Sequence, residues 1–136
     1  MNQLPTRSED LTKEVIGLAM KIHRALGPGF VEFVYRNAML VELRKASLAF
    51  EIEKPLKVTY EGAVIGEFSA DLMIAGWLLV ELKAVSILTK DHEVQLVNYL
   101  TAVNQPYGLL NNFGAASQYK RKYQRHQSTT APDLKA

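Results

Sequence analysis

Asp71, Glu81 and Lys83 are the residues whose types and spacing could do chemistry. Glu81 and Lys83 interrupt the apolar run Leu78-Leu79-Val80-Glu81-Leu82-Lys83-Ala84-Val85. Such a run suits a strand buried on both faces, where an unpaired charge is costly. Two residues apart on a strand, they project to one face. Asp71 lies across Ala75-Gly76, and Asp71 and Glu81 are equidistant from Gly76. In an antiparallel hairpin, an odd-length loop centred on Gly76, or a bulge, sets the two carboxylates opposite each other. A two-residue loop at Ala75-Gly76 instead pairs Asp71 with Val80 and separates the carboxylates onto opposite faces. Side by side, two carboxylates repel unless they share a proton or a cation. Mg²⁺ (or Mn²⁺) suits the pair, because Mg²⁺ takes one or two carboxylates together with waters and a substrate phosphate. A lysine on the same face can position or help deprotonate an attacking water and offset charge in the transition state. The same three residues also make sense as a salt-bridge set, Glu81–Lys83 and Asp71–Lys83, that closes one end of a sheet.

The elements that must position these groups follow from hydrophobic period and breakers. Ser8 is an N-cap for a helix in which Leu11, Val15, Leu18, Ile22 and Ala25 recur at helical spacing, and Gly27-Pro28-Gly29 stops it. A second helix runs from about Val31 to Ser47, rich in good helix formers. Phe50, Ile52, Leu56, Val58 and Tyr60 then alternate with polar residues, with Pro55 marking an edge position or a bulge. Glu61-Gly62 is a turn, Ala63 to Ile74 a second strand bent at Gly66, and Trp77 to Val85 the central strand. Thr89 caps a third helix ending near Val103, Asn104-Gln105-Pro106 stops it, Tyr107 to Phe113 is a further strand, and Gln118 to Tyr123 a short last one. The order is α-α-β-β-β-α-β-(β). A helix joining the third and fourth strands implies a right-handed crossover with parallel pairing, hence a mixed central sheet flanked by helices.

The chain has 136 residues, 48% hydrophobic and 22% charged, which suits one globular domain over residues 8–126 and a flexible tail over 127–136. With no cysteine, disulfides and cysteine-based zinc sites are excluded and a reducing compartment fits. Met1 to Asp10 lacks the apolar core of a signal peptide and no apolar run is long enough to cross a bilayer, so a cytoplasmic, non-membrane protein is expected. The net charge of +2 is small for a nucleic-acid binder. Its distribution is more suggestive: Lys120, Arg121, Lys122 and Arg125 crowd the C-terminal segment without an acidic neighbour, either as a solvated face or as phosphate contacts.

Asp71 followed by Glu81-Leu82-Lys83 resembles the D-x(n)-E-x-K core of the PD-(D/E)XK nuclease superfamily. Gln95-Leu96-Val97-Asn98-Tyr99 is similar to the Q-x-x-x-Y motif of its RecB-like members, and Gln and Tyr four apart share a helical face. Leu26 to Tyr35, with Gly27-Pro28-Gly29 and Glu32, resembles the small bacterial GxxExxxY family, as do the blocks around Glu81 to Val85, His92 to Leu100 and Gly108 to Gly114. The resemblance implies an α/β, single-domain PD-(D/E)XK (restriction-endonuclease-like) fold and hydrolysis of phosphodiester bonds of DNA or RNA by metal-assisted water attack. It implies Asp71, Glu81, Lys83 and Gln95 as the catalytic set, Glu32, Asp71 and Glu81 around Mg²⁺ or Mn²⁺, and Tyr99 on the substrate, to which Lys120, Arg121 and Lys122 of the basic segment would add phosphate contacts. For Glu32 the alternative is a first-turn glutamate favoured by the helix dipole. Two positions depart from the pattern: Ala70 stands before Asp71 where the superfamily is named for proline, and Ser69 stands where the small family commonly carries arginine.

Other chemistries are absent. His92-Glu93 would begin a zinc-protease H-E-x-x-H, but the fifth residue is Leu96. Gly27-Pro28-Gly29 follows a helix and is no dinucleotide fingerprint, and there is no cysteine nucleophile or glycine-rich phosphate loop. The competing reading is a catalytically silent nuclease-fold module for binding or assembly. The small size leaves room for a homodimer or a protein partner to complete a nucleic-acid groove.

Overall fold

The computed structural model describes residues 4–125, so the expected tail over 127–136 lies outside the described residues. Two helices, α1 (Leu4–Leu26) and α2 (Glu32–Lys45), precede three strands, β1 (Phe50–Tyr60), β2 (Ala63–Ile74) and β3 (Leu78–Lys83). Helix α3 (Lys90–Ala102) then leads to β4 (Tyr107–Phe113) and β5 (Ser117–Tyr123). Helix α1 begins before Ser8, which therefore lies inside the helix and is not its cap. Pro5, whose missing N–H costs nothing in a first turn, lets the helix start early. At its other end the Gly27 N–H donates to the His23 carbonyl at 2.8 Å, and Gly27 adopts φ +72°, the left-handed cap that glycine allows.

The sheet order is β1-β2-β3-β4-β5, with β3 and β4 parallel and every other neighbour antiparallel. The α3 crossover accounts for the one parallel pair. Pro55 sits on β1, an edge strand, where a missing donor is tolerated. The β1–β2 register shifts between Val58 and Thr59, opposite Gly66 and Val64, so the expected bend at Gly66 is a bulge.

Alternation divides the core between the two sheet faces. Leu72, Ile74, Leu78, Val80, Leu82, Leu109 and Phe113 pack with α1 and α2. Met73, Leu79 and Leu110 pack with Leu96 and Leu100 of α3. Gly108 lets α3 approach, since a Cβ there would stand 2.9 Å from Leu100. Helix α3 starts in a capping box: the His92 N–H donates to Thr89 Oγ1 at 3.4 Å and His92 Nδ1 accepts from the Thr89 N–H at 3.0 Å. Among the described residues, no helix is long and apolar enough to cross a membrane.

Candidate active site

Strands β2 and β3 pair only as Leu72↔Val80, Met73↔Leu79 and Ile74↔Leu78. The loop is therefore Ala75-Gly76-Trp77, the odd-length loop that sets Asp71 against Glu81. Ala75 and Gly76 take φ of +56° and +80° to close it. Beyond Val80 the ladder stops. On the other side, Ile52↔Leu72 and Lys54↔Ala70 leave Glu53 and Asp71 without a ladder pair, and Glu53 turns into the left-handed region at φ +50°. Asp71 is thus released from both neighbouring strands. Its Oδ2 accepts the Leu82 N–H at 2.8 Å, taking the place of the missing ladder partner.

Glu81 projects to the α3 side with Leu79 and Lys83, and its Oε2 is buried with no hydrogen-bond partner among the described residues. Burial, then the Asp71 charge beside it, push Glu81 from its ordinary 4.5 up to about 8, with Lys83 pulling the other way. Lys83 is half-buried and takes part in no ion pair among the described residues. The salt-bridge set that would close the sheet is therefore not built, and the lysine stands near acids it does not neutralise by contact.

Glu32, at the start of α2, lies across a cleft of about 330 Å³ lined by Val31, Glu32, Phe33, Arg36, Asp71 and Leu82. Its carboxyl is raised above the usual range by partial desolvation and by Asp71, and lowered by Lys83 and His92. The N-termini of α2 and α3 thus approach the same end of the sheet. Among the described residues, no three His, Cys, Asp or Glu side chains gather as a metal-holding group, so Glu32 faces the acid pair without closing on it. Two side-by-side carboxylates, one carrying an unpartnered buried oxygen, are nonetheless a donor set that fits a hard divalent cation.

The two helix residues of the Q-x-x-x-Y pattern part company. Tyr99 is half-buried, stacked on Phe68 with ring centroids 3.6 Å apart, and its hydroxyl is held above its usual pKa by burial and by the Glu81 charge. Gln95 is exposed on α3 and has no hydrogen-bond partner among the described residues. The basic run is split by strand alternation. Lys120 and Lys122 lie opposite Leu110 and Gly108, while Arg121 falls between them on the other face. Lys122 is further committed to Glu93 at 2.9 Å.

Asn112, buried on β4 beside Lys83, was not singled out by spacing. Its Oδ1 accepts the Val85 N–H and its Nδ2 donates to the Val85 carbonyl, both at 2.9 Å, and to Gln118 Oε1 at 3.1 Å. It braces the exit of β3 two residues after Lys83. The only sequence signal was an amide pair inside an apolar strand. The glycine elbow is braced similarly: Tyr35 donates to the Gly27 carbonyl, stacks on Phe113 at 4.5 Å, and fixes the start of α2 from which Glu32 projects.

A pH prediction follows from Glu81. Its folded pKa lies above its unfolded value, so the stability it contributes is present below about pH 4.5 and lost as pH rises through about 8. The melting temperature of the protein in EDTA should fall between about pH 5 and about pH 9, and Glu81→Gln should flatten that fall. A wild-type profile no steeper than that of the variant would contradict the geometry of the pair.

A family model described as the PD-(D/E)XK nuclease superfamily matches residues 9–126. Comparison with curated proteins gives no match. Among solved structures, the one titled "Crystal structure of SSO0001" superposes with a TM-score of 0.54 at 18% identity, covering 88% of this chain. The chain spans 60% of that structure's length. At this identity the likeness concerns the fold.

Proposed function

This chain belongs to the PD-(D/E)XK nuclease superfamily, and from that premise we propose that it is a metal-dependent nuclease cutting phosphodiester bonds of DNA or RNA. The observation that carries the reading is the buried, unpartnered Glu81 Oε2 beside Asp71. Asp71 and Glu81 would hold Mg²⁺ or Mn²⁺, with Glu32 as a further acid lining the same cleft. The chemistry such a cation supplies is polarisation of a phosphoryl oxygen and a water that deprotonates more easily. Asp71 is kept in place by the Leu82 N–H. Lys83, free of an ion pair among the described residues, orients the attacking water and offsets charge on the phosphoryl oxygens. Tyr99 walls the site beside Glu81, and Gln95 and Lys120, on the α3 side with Glu81, remain available to a bound strand, whereas Arg121 faces the other side of the sheet. The glycine elbow, Glu32 and the Gln95/Tyr99 pair support a finer placement near the GxxExxxY family and the RecB-like members.

Calorimetry tests the proposal. Wild type should bind Mn²⁺ and release a proton on doing so, because Glu81 must deprotonate; affinity should rise about tenfold per pH unit below about pH 8. Asp71→Ala should bind none. A silent binding module is the second reading, favoured by the absence of a three-acid group among the described residues. Wild type that neither binds Mn²⁺ nor cleaves single- or double-stranded DNA or RNA would establish it.

A further inference from the structure

The nuclease reading leaves unexplained two residues that share the cleft with Asp71. Phe33 and Arg36 are one turn apart on α2 and therefore neighbours on one helix face. Phe33 is 60% exposed, and Phe30 and Val31 beside it are 47% and 59% exposed. Clustered exposed apolar side chains of this kind mark a surface that meets a ligand. Arg36 is the sole cation among the described residues lining the cleft, which also holds Glu32 and Asp71. Its guanidinium is incompletely used. Nη1 donates to Glu53 Oε2 at 2.9 Å, Nη2 only grazes Asn37 Oδ1 at 3.5 Å, and Nε is buried with no partner among the described residues.

We propose that Phe33 and Arg36 form a subsite for one unpaired nucleotide beside the acid pair, the base stacked on the Phe33 ring and its phosphate held by the Arg36 guanidinium. The inference rests on the phosphodiester reading above and adds a substrate class, single strands and frayed ends. The Nε–Nη2 edge is the fork that takes two phosphate oxygens at once. Nε is covered in the free protein, so the guanidinium re-seats on binding; its ion-pair partner among the described residues, Glu53, has a side chain 65% exposed and yields easily. The ring supplies the strand preference. A base inside a duplex offers only its edge, whereas an unpaired base offers the face that an aromatic side chain stacks on.

The test is fluorescence anisotropy of a labelled oligothymidylate, and of the same strand in a blunt duplex, with the full chain in EDTA. Wild type should bind the single strand more tightly than the duplex. Phe33→Ala should weaken single-strand binding about tenfold while leaving duplex binding unchanged, and Phe33→Tyr should restore it. Arg36→Gln should weaken it and shrink the salt dependence by about one phosphate. Glu53→Gln removes the same ion pair but keeps the guanidinium, so it should bind like wild type. The subsite is overturned by equal affinity for both forms, by Phe33→Ala that binds like wild type, by Glu53→Gln that loses as much as Arg36→Gln, or by Phe33→Ala that alters only self-association. A parallel cleavage assay in Mn²⁺ separates the two claims. Variant effects on binding without any cleavage would leave the subsite standing and sink the nuclease reading. Cleavage that ignores Phe33 and Arg36 would do the reverse.

Discussion

Lys83→Ala is expected to lower phosphodiester cleavage by about a hundredfold or more while keeping most of the Mn²⁺ affinity. The lysine is not a cation ligand, and it takes part in no ion pair that its loss would break among the described residues. Asp71→Ala and Glu81→Ala should instead lose cleavage and Mn²⁺ binding together, since each removes one of only two adjacent anionic ligands. Stability separates them again. Losing Asp71 strands the Leu82 N–H, a cost of about 1–3 kcal/mol. Losing Glu81 removes a desolvated acid and should leave the cation-free protein as stable as wild type or more so above about pH 8. Cleavage assays, calorimetry and melts on the three variants give the full ranking. If Lys83→Ala cleaved like wild type, the lysine would be a bystander, and water positioning would have to come from elsewhere.

The second large effect is structural and lies just behind the site. In Asn112→Ala the Val85 N–H and carbonyl both lose their partner, and Gln118 loses a donor. Half-buried groups left unpaired in this way cost about 1–3 kcal/mol together. Gly114→Ala attacks the same joint from the other side. A Cβ there would stand 2.2 Å from the Val85 carbonyl oxygen and 2.9 Å from Asn112 Nδ2. Backbone has to move, which puts the cost at about 3 kcal/mol. Gly66→Ala is the control, because nothing lies within 4 Å of its would-be Cβ, and its effect should stay within about 0.5 kcal/mol. Urea melts would rank the three, and a Gly114→Ala protein as stable as wild type would show that β3 leaves the sheet differently. Where Asn112→Ala still folds, its cleavage should fall further than its stability explains, since Lys83 sits two residues before the loosened Val85.

The elements around this site were legible in the chain because their signals are local. The glycine elbow at Gly27-Pro28-Gly29, the Thr89 cap, the alternation of β1 and the two-sided apolar run of β3 each depend on residues a few positions apart. The start of α1 differs from the Ser8 expectation for the same reason: a capping side chain is a local signal, and Pro5 is a competing one that the helix follows. The symmetry of Asp71 and Glu81 about Gly76 could be stated as a condition on loop length, and the three-residue loop meets it. The basic run Lys120 to Lys122 is contiguous in sequence, but strand alternation divides it between two faces.

The sequence by itself could not decide which charges are paired, covered or free, because those states depend on groups far along the chain. Asp71 is fixed by the backbone of Leu82, Glu32 feels His92 on another helix, and Tyr99 feels Glu81. Asn112 reaches back across 27 residues to Val85, and nothing in its neighbours announces that contact. Arg36 is marked out by an Nε without a partner among the described residues and by the cleft it shares with Asp71. Periodicity follows from the regular geometry of one segment. Desolvation and hydrogen bonding follow from how separate segments enclose one another, and only the folded arrangement of three helices on one sheet determines that.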